Sequence, residues 1–207
     1  MVPATAPIPE EDLCTSGKIP FLAKNFARVG AIVVFLHETR TEGPQMRPSH
    51  EYLAVTSGSS KARSHGEEIW LACDIPMRVL GKDHYIHEGC VQVLHAEETI
   101  LLIELTVGPL RLHLLAGHAP PSGEGARIRA WWRALRGILS RYARPGVETV
   151  FGIDANGRIG EASHPHAGGH QPAMIDAAGK ELLATCQLLR TALPQIFEGA
   201  HRGPTET

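Results

Sequence analysis

Residues 150–160 read Val150-Phe151-Gly152-Ile153-Asp154-Ala155-Asn156-Gly157-Arg158-Ile159-Gly160. The apolar run over 147–153 predicts a buried strand that stops abruptly at Asp154 and Asn156, with Gly152, Gly157 and Gly160 bracketing the two polar side chains. On an extended strand, residues two apart project from the same side of the pleat. At the C-terminal edge of a sheet, that is where ligands and metals collect. A carboxylate and a carboxamide are oxygen ligands of the kind a hard cation such as Mg²⁺ takes. Asp and Asn beside Gly are equally ordinary turn chemistry, so the stretch gains meaning only from partners elsewhere in the chain.

The bulk of the sequence bounds what those partners serve. The chain has 207 residues, 43% of them hydrophobic and 20% charged, which describes an ordinary globular domain of one medium core. A net charge of −2 excludes a globally basic nucleic-acid binder, though not a local patch. Cys14, Cys73, Cys90 and Cys186 are widely spaced, which reads as reduced thiols and not a disulfide framework or a zinc knuckle. No apolar run approaches the roughly 18 residues of a membrane span. The Pro-rich, acidic first 15 residues lack the basic-then-apolar order of a signal peptide and read as a frayed tail before a domain over 16–207. A cytoplasmic or nuclear location is the expectation.

Working outward from Asp154, two more apolar segments run into polar chemistry. A helix is expected from about Ser16 to Gly30, burying Ile19, Leu22, Phe26 and Val29. Residues 31–37 are continuously apolar, the pattern of a central strand covered on both faces, and they end in Glu38. Residues 41–50 read as a polar loop, and 52–57 and 68–73 as strands. Segments 91–95, 99–107 and 110–117 continue the strand series, the last two joined as a hairpin through Gly108-Pro109. Leu110, Leu112, Leu114 and Ala116 alternate with Arg111 and His113, predicting one buried face, and the strand delivers His118. Residues 124–143 form the strongest amphipathic helix, with Trp131 and Trp132 in its apolar face as core packing. Its polar face carries Arg127, Arg133 and Arg136, either a solvated face or a weak phosphate-binding stripe. His164, His166 and His170 lie in a loop without metal-ligand spacing. A helix over 176–190 and a short strand over 192–197 follow.

Glu38, His118 and the Asp154/Asn156 pair thus each follow an apolar strand. That combination suits phosphate-ester hydrolysis: oxygen ligands hold a divalent cation that neutralises phosphate charge, and an imidazole binds or protonates a phosphoryl oxygen.

The motifs also resemble a known family. Phe35-Leu36-His37-Glu38-Thr39-Arg40 resembles the Leu-Gln-Glu-Thr-Arg segment of the endonuclease/exonuclease/phosphatase superfamily, with His37 in place of the Gln. Gly66-Glu67-Glu68-Ile69-Trp70, Gly117-His118-Ala119-Pro120 and residues 151–160 resemble, in the same order, motifs of its non-LTR retrotransposon endonuclease branch. The resemblance implies a four-layer α/β fold with two β-sheets packed as a sandwich between helices. It implies an endonuclease acting on DNA or RNA, with Mg²⁺, or alternatively Mn²⁺, as cofactor. Glu38, Asp154 and Asn156 would form the metal side of the site, and His118, Asp154 and Asn156 would be catalytic. It further implies that the chain corresponds to the N-terminal two-thirds of such a domain. The family's early Thr-x-Asn strand has no counterpart here. Its late Asp and terminal Asp-His pair would lie beyond Pro204-Thr205-Glu206-Thr207, leaving the fold incomplete on that side and activity of this chain in question. An inactive remnant and a phosphatase of small phosphorylated ligands are the competing expectations.

Overall fold

The structure, a computed structural model, describes residues 18–59, 65–121, 123–160, 166 and 174–193. Helix α1 spans Lys18–Arg28. Strands β1 (Val33–Leu36), β2 (Gln45–Ser49), β3 (Tyr52–Thr56) and β4 (Glu68–Ala72) follow, then a small ribbon of β5 (Met77–Val79) and β6 (Lys82–His84). Strands β7 (Val91–Glu97), β8 (Ile100–Val107) and β9 (Leu110–His118) lead into α2 (Gly125–Tyr142), β10 (Glu148–Asp154) and α3 (Ala177–Leu189).

Two four-stranded sheets result, one in the order β1-β4-β3-β2 and the other β10-β9-β8-β7. The first is antiparallel throughout; in the second only β10 runs parallel, beside β9. The period-2 pattern of each strand then assigns its side chains to layers. Leu53, Val55, Ile69 and Leu71 of the first sheet meet Leu101, Ile103, Leu105, Leu114 and Ala116 of the second in one buried cluster. The alternate residues of the first sheet, Tyr52, Ala54, Trp70 and Ala72, pack outward with Ala23 of α1. The alternate residues of the second, Ile100, Leu102 and Leu115, pack outward on Ile128, Trp132 and Leu135 of α2 and Leu182, Leu183 and Cys186 of α3. The layer order is helix, sheet, sheet, helices: the α/β two-sheet sandwich expected from the sequence. Among the described residues, no helix is long and apolar enough to cross a membrane.

Several local expectations are corrected. Residues 33–36 form an edge strand of the described sheet, because a run of apolar residues reports two covered faces and not a place in the strand order. Residues 147–153 are likewise an edge, half-buried, with Val150 44% exposed. Residues 45–49, read as a loop, pair with β3 at the opposite edge, where Pro48 is tolerated. Ile19 and Leu22 of α1 and Val29 just after it are exposed; Ala23 is the buried residue of the helix, and Phe26 meets Trp70 edge-on at 6.4 Å. His113, expected on a polar face, is 2% exposed, because the helices cover that side of the second sheet too. The tail 1–15, His164, His170, most of the 192–197 strand and the 204–207 segment lie outside the described residues. His166 is described, its ring Nδ1 2.7 Å from the Thr191 carbonyl oxygen.

Helix α3 begins as its sequence dictates. Asp176 caps α3, accepting from the Gly179 N–H at 2.8 Å. Trp132 is fully buried and Trp131 donates its indole N–H to Thr99 at 3.0 Å, so both act in packing. Cys186 is buried in α3 and its thiol is pushed up to about 11 by desolvation; Cys73, Cys90 and Cys186 are all free.

Candidate active site

The alternation that fills the sandwich with Leu, Ile and Val continues past the strand ends, and there it changes chemistry. Leu114, Ala116 and His118 share a face of β9, as do Ile69 and Leu71 with Glu67, which immediately precedes β4. On β1, Val33 and Phe35 face the inter-sheet core, and His37 is next in phase. On β10 a Cβ at Gly152 would fall 2.4 Å from Phe35, so that face of β10 also looks across to the first sheet, and Asp154 is next in phase. His37, Glu67, His118 and Asp154 therefore meet at one end of the gap between the two sheets. Four unrelated segments deliver them there through nothing more than strand parity.

The pair facing each other is specific. His118 Nδ1 lies 3.8 Å from Glu38 Oε1, joining the ends of β9 and β1 across the sandwich. His118 is 8% exposed, whereas the Glu38 side chain is 55% exposed and reaches solvent. The rings of His37 and His65 stand edge-on to His118 at 6.4 and 5.8 Å between centroids. His37 Nδ1 contacts Glu67 Oε2 at 2.5 Å. Glu67 is fully buried, and burial pushes its carboxyl above the ordinary range. The His37 bond and the nearby His118 pull it back, while the Asp154 charge adds to the rise.

Asp154 and Asn156 come together differently from the expected pleat. Asp154 ends β10, opposite His118 in the parallel register, and Asn156 lies beyond the strand at φ 44°. The Asn156 N–H donates to Asp154 Oδ1 at 3.1 Å, and its side-chain Nδ2 donates to the Ala119 carbonyl at 2.8 Å. A carbonyl can only accept, so this bond fixes the amide and leaves Asn156 Oδ1 available. The two residues are locked by an Asx-type turn, and the turn and ligand readings of the motif are one arrangement.

Four residues around this point hold left-handed backbones without being glycine: Glu38 (φ 54°), Arg40 (57°), His65 (64°) and Asn156 (44°). Each such residue costs on the order of 1 kcal/mol, and the backbone around them is pinned. Thr39 N–H donates to Gly66 O and Arg40 N–H to His65 O, both at 3.0 Å, while Gly66 N–H reaches Glu98 O at 2.9 Å. Two strand-end loops are thereby held against each other with Glu38 and His65 side by side.

The oxygen donors of Glu38, Asp154 and Asn156 are of the type a hard divalent cation takes, and the fixed Asn156 amide keeps its oxygen free for one. Among the described residues, Glu38, His65 and His118 also converge, each offering one ligand atom with all three atoms within 4.8 Å of one another.

The arginines of α2 divide. Arg136 donates to Glu181 at 2.9 Å and to Thr185 at 3.1 Å, clamping α2 to α3. Arg127 pairs with Glu124 at 2.8 Å at the start of the helix, and Arg133 is exposed. Of the site residues, Glu38, His118, Asp154 and Asn156 were read from the sequence; His65 and Glu67 were not, and His37 entered only as a departure from a motif. The signal for Glu67 was present: two adjacent carboxylates enter a wholly apolar strand, and its pleat cannot send both to water. Glu68 goes to the other face, accepting from Trp70 Nε1 at 2.7 Å and from Thr41.

No protein-family model matches the chain, and no curated protein sequence does. Among solved structures it is similar to the endonuclease domain of TRAS1, a telomere-specific non-LTR retrotransposon. That match has 15% identity and a TM-score of 0.49, and covers 83% of this chain and 64% of that one. It is also similar to humanized D. rerio TDP2, at 16% identity and a TM-score of 0.46, covering 72% and 62%. Truncated Caenorhabditis elegans TDP2 matches at 18% identity and a TM-score of 0.43, covering 75% and 61%. The chain spans less than two thirds of the length of each of these structures.

Proposed function

We propose that the chain carries the site of a divalent-metal-dependent phosphodiester hydrolase, an endonuclease acting on nucleic acid. The observation that supports this most is the meeting of His118 and Glu38 at 3.8 Å across two sheets, with the Asp154–Asn156 turn beside them in register with His118. Glu38, Asp154 and Asn156 would hold Mg²⁺, or alternatively Mn²⁺, which when bound neutralises phosphate charge and makes water a better nucleophile.

The remaining roles follow from side-chain chemistry. Asp154, exposed at the end of β10, is placed to orient and deprotonate a water molecule arriving from solvent. Asn156 presents a fixed amide toward the phosphate. His118, buried and facing a carboxylate, donates to a phosphoryl oxygen as negative charge builds there. Glu67 bonded to His37 stands behind His118 and fixes the electrostatics on its buried side. DNA or RNA is the proposed substrate, with Arg127 and Arg133 available to backbone phosphates and Arg136 contributing mainly through α3.

Supercoiled plasmid provides the test. Nicking should require Mg²⁺, disappear with EDTA, and fall by about 10²-fold or more in Asp154→Ala. Undiminished nicking by Asp154→Ala would overturn the assignment.

A further inference from the structure

From the Glu38–His65–His118 cluster we infer a binding site for an imidazole-preferring divalent cation, Zn²⁺ in particular, that overlaps the proposed Mg²⁺ site through Glu38. It rests on that functional reading only where turnover is used as a readout.

Two imidazoles and one carboxylate form the donor set, with all three ligand atoms within 4.8 Å of one another. Mg²⁺ takes oxygen ligands and keeps several waters, whereas Zn²⁺ takes His nitrogen and carboxylate oxygen readily and leaves a fourth position open in such a set. A second observation points the same way. His118 is 8% exposed, and its Nδ1, the atom aimed at Glu38, is buried without a hydrogen-bond partner; the Nδ1 of His65 is buried and unpartnered as well. Two orphaned ring nitrogens beside one carboxylate are costly in a folded protein unless something binds them.

The geometry permits closure. Tetrahedral Zn²⁺ with bonds of ~2.0–2.1 Å needs ligand atoms ~3.4 Å apart, so from separations within 4.8 Å the cluster must contract by up to about 1.4 Å. Glu38, with 55% of its side chain exposed, is free to swing inward. The His65 backbone is pinned to Arg40 and Gly66 to Glu98, so the imidazoles form the fixed part of the site. His65 itself has no role in the hydrolytic machinery proposed above. Zn²⁺ seated here takes Glu38 away from Mg²⁺ and His118 away from the phosphate, so it should inhibit.

The test uses the 207-residue chain with Co²⁺ as a visible probe of Zn²⁺ coordination, and equilibrium dialysis with Zn²⁺ itself. One equivalent of Co²⁺ should give the intense visible absorption of four-coordinate cobalt, displaced by Zn²⁺ and not by Mg²⁺. His65→Ala and His65→Gln should each weaken binding by about tenfold or more, with circular-dichroism melts showing that both variants fold. His87→Ala, at an exposed histidine outside the cluster, should leave binding unchanged. Equal Zn²⁺ binding by wild type and both His65 variants, or octahedral cobalt spectra throughout, would overturn the site. In the plasmid assay, Zn²⁺ should inhibit Mg²⁺-dependent nicking and His65→Ala should relieve that inhibition while keeping the nicking. Absence of nicking together with a His65-dependent cobalt spectrum sinks the nuclease reading and leaves the metal site standing. Nicking that Zn²⁺ does not inhibit, together with metal binding that is the same in wild type and both His65 variants, sinks the metal site and leaves the nuclease reading standing.

Discussion

Gly152 sets how closely the two sheets approach at the site. A Cβ there would fall 2.4–2.7 Å from the Cγ, Cβ and Cδ2 atoms of Phe35. Trimming Phe35 leaves its own Cβ in the way, so relief requires the strands to move apart. Gly152→Ala should therefore cost roughly 1–3 kcal/mol of stability in urea titrations. Gly137, exposed in the middle of α2 with nothing within 4 Å of an added Cβ, is the control: Gly137→Ala should stabilise by roughly 0.5–1 kcal/mol. If the two changes have similar effects, the close approach at Phe35 is not a determinant of the sheet spacing. In the sequence, Gly152 was legible only as punctuation beside Asp154. Its contact partner lies 117 positions away on another strand, and single-chain patterns do not carry that distance. The same limit hid His65: a histidine between basic residues and glycine shows nothing until the loop after β1 is laid against it.

At the scale of elements, one buried charge network ties β8, β9 and the turn into β10. Glu104 is 4% exposed; Arg111 reaches one of its oxygens at 2.6 Å and Arg144 the other at 3.2 Å, with His113 Nε2 3.5 Å away. The Arg111 hydrogen bond, against the opposing effect of burial, holds the Glu104 carboxyl below its ordinary value of 4.5. A carboxyl depressed in the fold is deprotonated there while the unfolded chain still binds its proton. Its stabilisation is present above the ordinary value and is lost as pH falls through the depressed one. Glu104→Gln should cost about 2 kcal/mol at neutral pH and flatten the acid limb of a stability–pH curve; an unchanged acid limb would remove Glu104 as its source. The alternation of Leu110, Leu112, Leu114 and Ala116 foretold this strand and its hairpin, yet it misplaced His113. Alternation identifies two faces and says nothing of what a later helix covers. The helix bounds were legible to within about two residues, because Asp176, Gly30 and the Trp131–Trp132 periodicity mark them locally, although the buried face of α1 was not.

For the whole molecule, the order of strands was the least legible property, since pairing between distant segments leaves no local mark. Three apolar strands ending in polar residues were readable; that they end together was an expectation carried by the resemblance, and its physical reason emerges only when parity is followed across two packed sheets. The strand order also makes the two flanks of the sandwich unequal. On one flank, β2 carries Pro48 and β7 breaks its register between Val93 and His95, devices that blunt an edge. On the other, β1 (Val-Val-Phe-Leu) and β10 (Glu-Thr-Val-Phe-Gly-Ile-Asp) lack both, and among the described residues a cleft of about 680 Å³ opens between them. Association of the chain should therefore be directional, growing through the β1/β10 flank and sparing the other. Val150→Lys, at a residue 44% exposed on β10, should slow the rise of light scattering with concentration, whereas a lysine placed at exposed Val93 on β7 should change it little. The hazard of self-adhesion thus falls on the same flank as the catalytic candidates, so a charge added there for solubility must stay clear of Glu38 and Asp154.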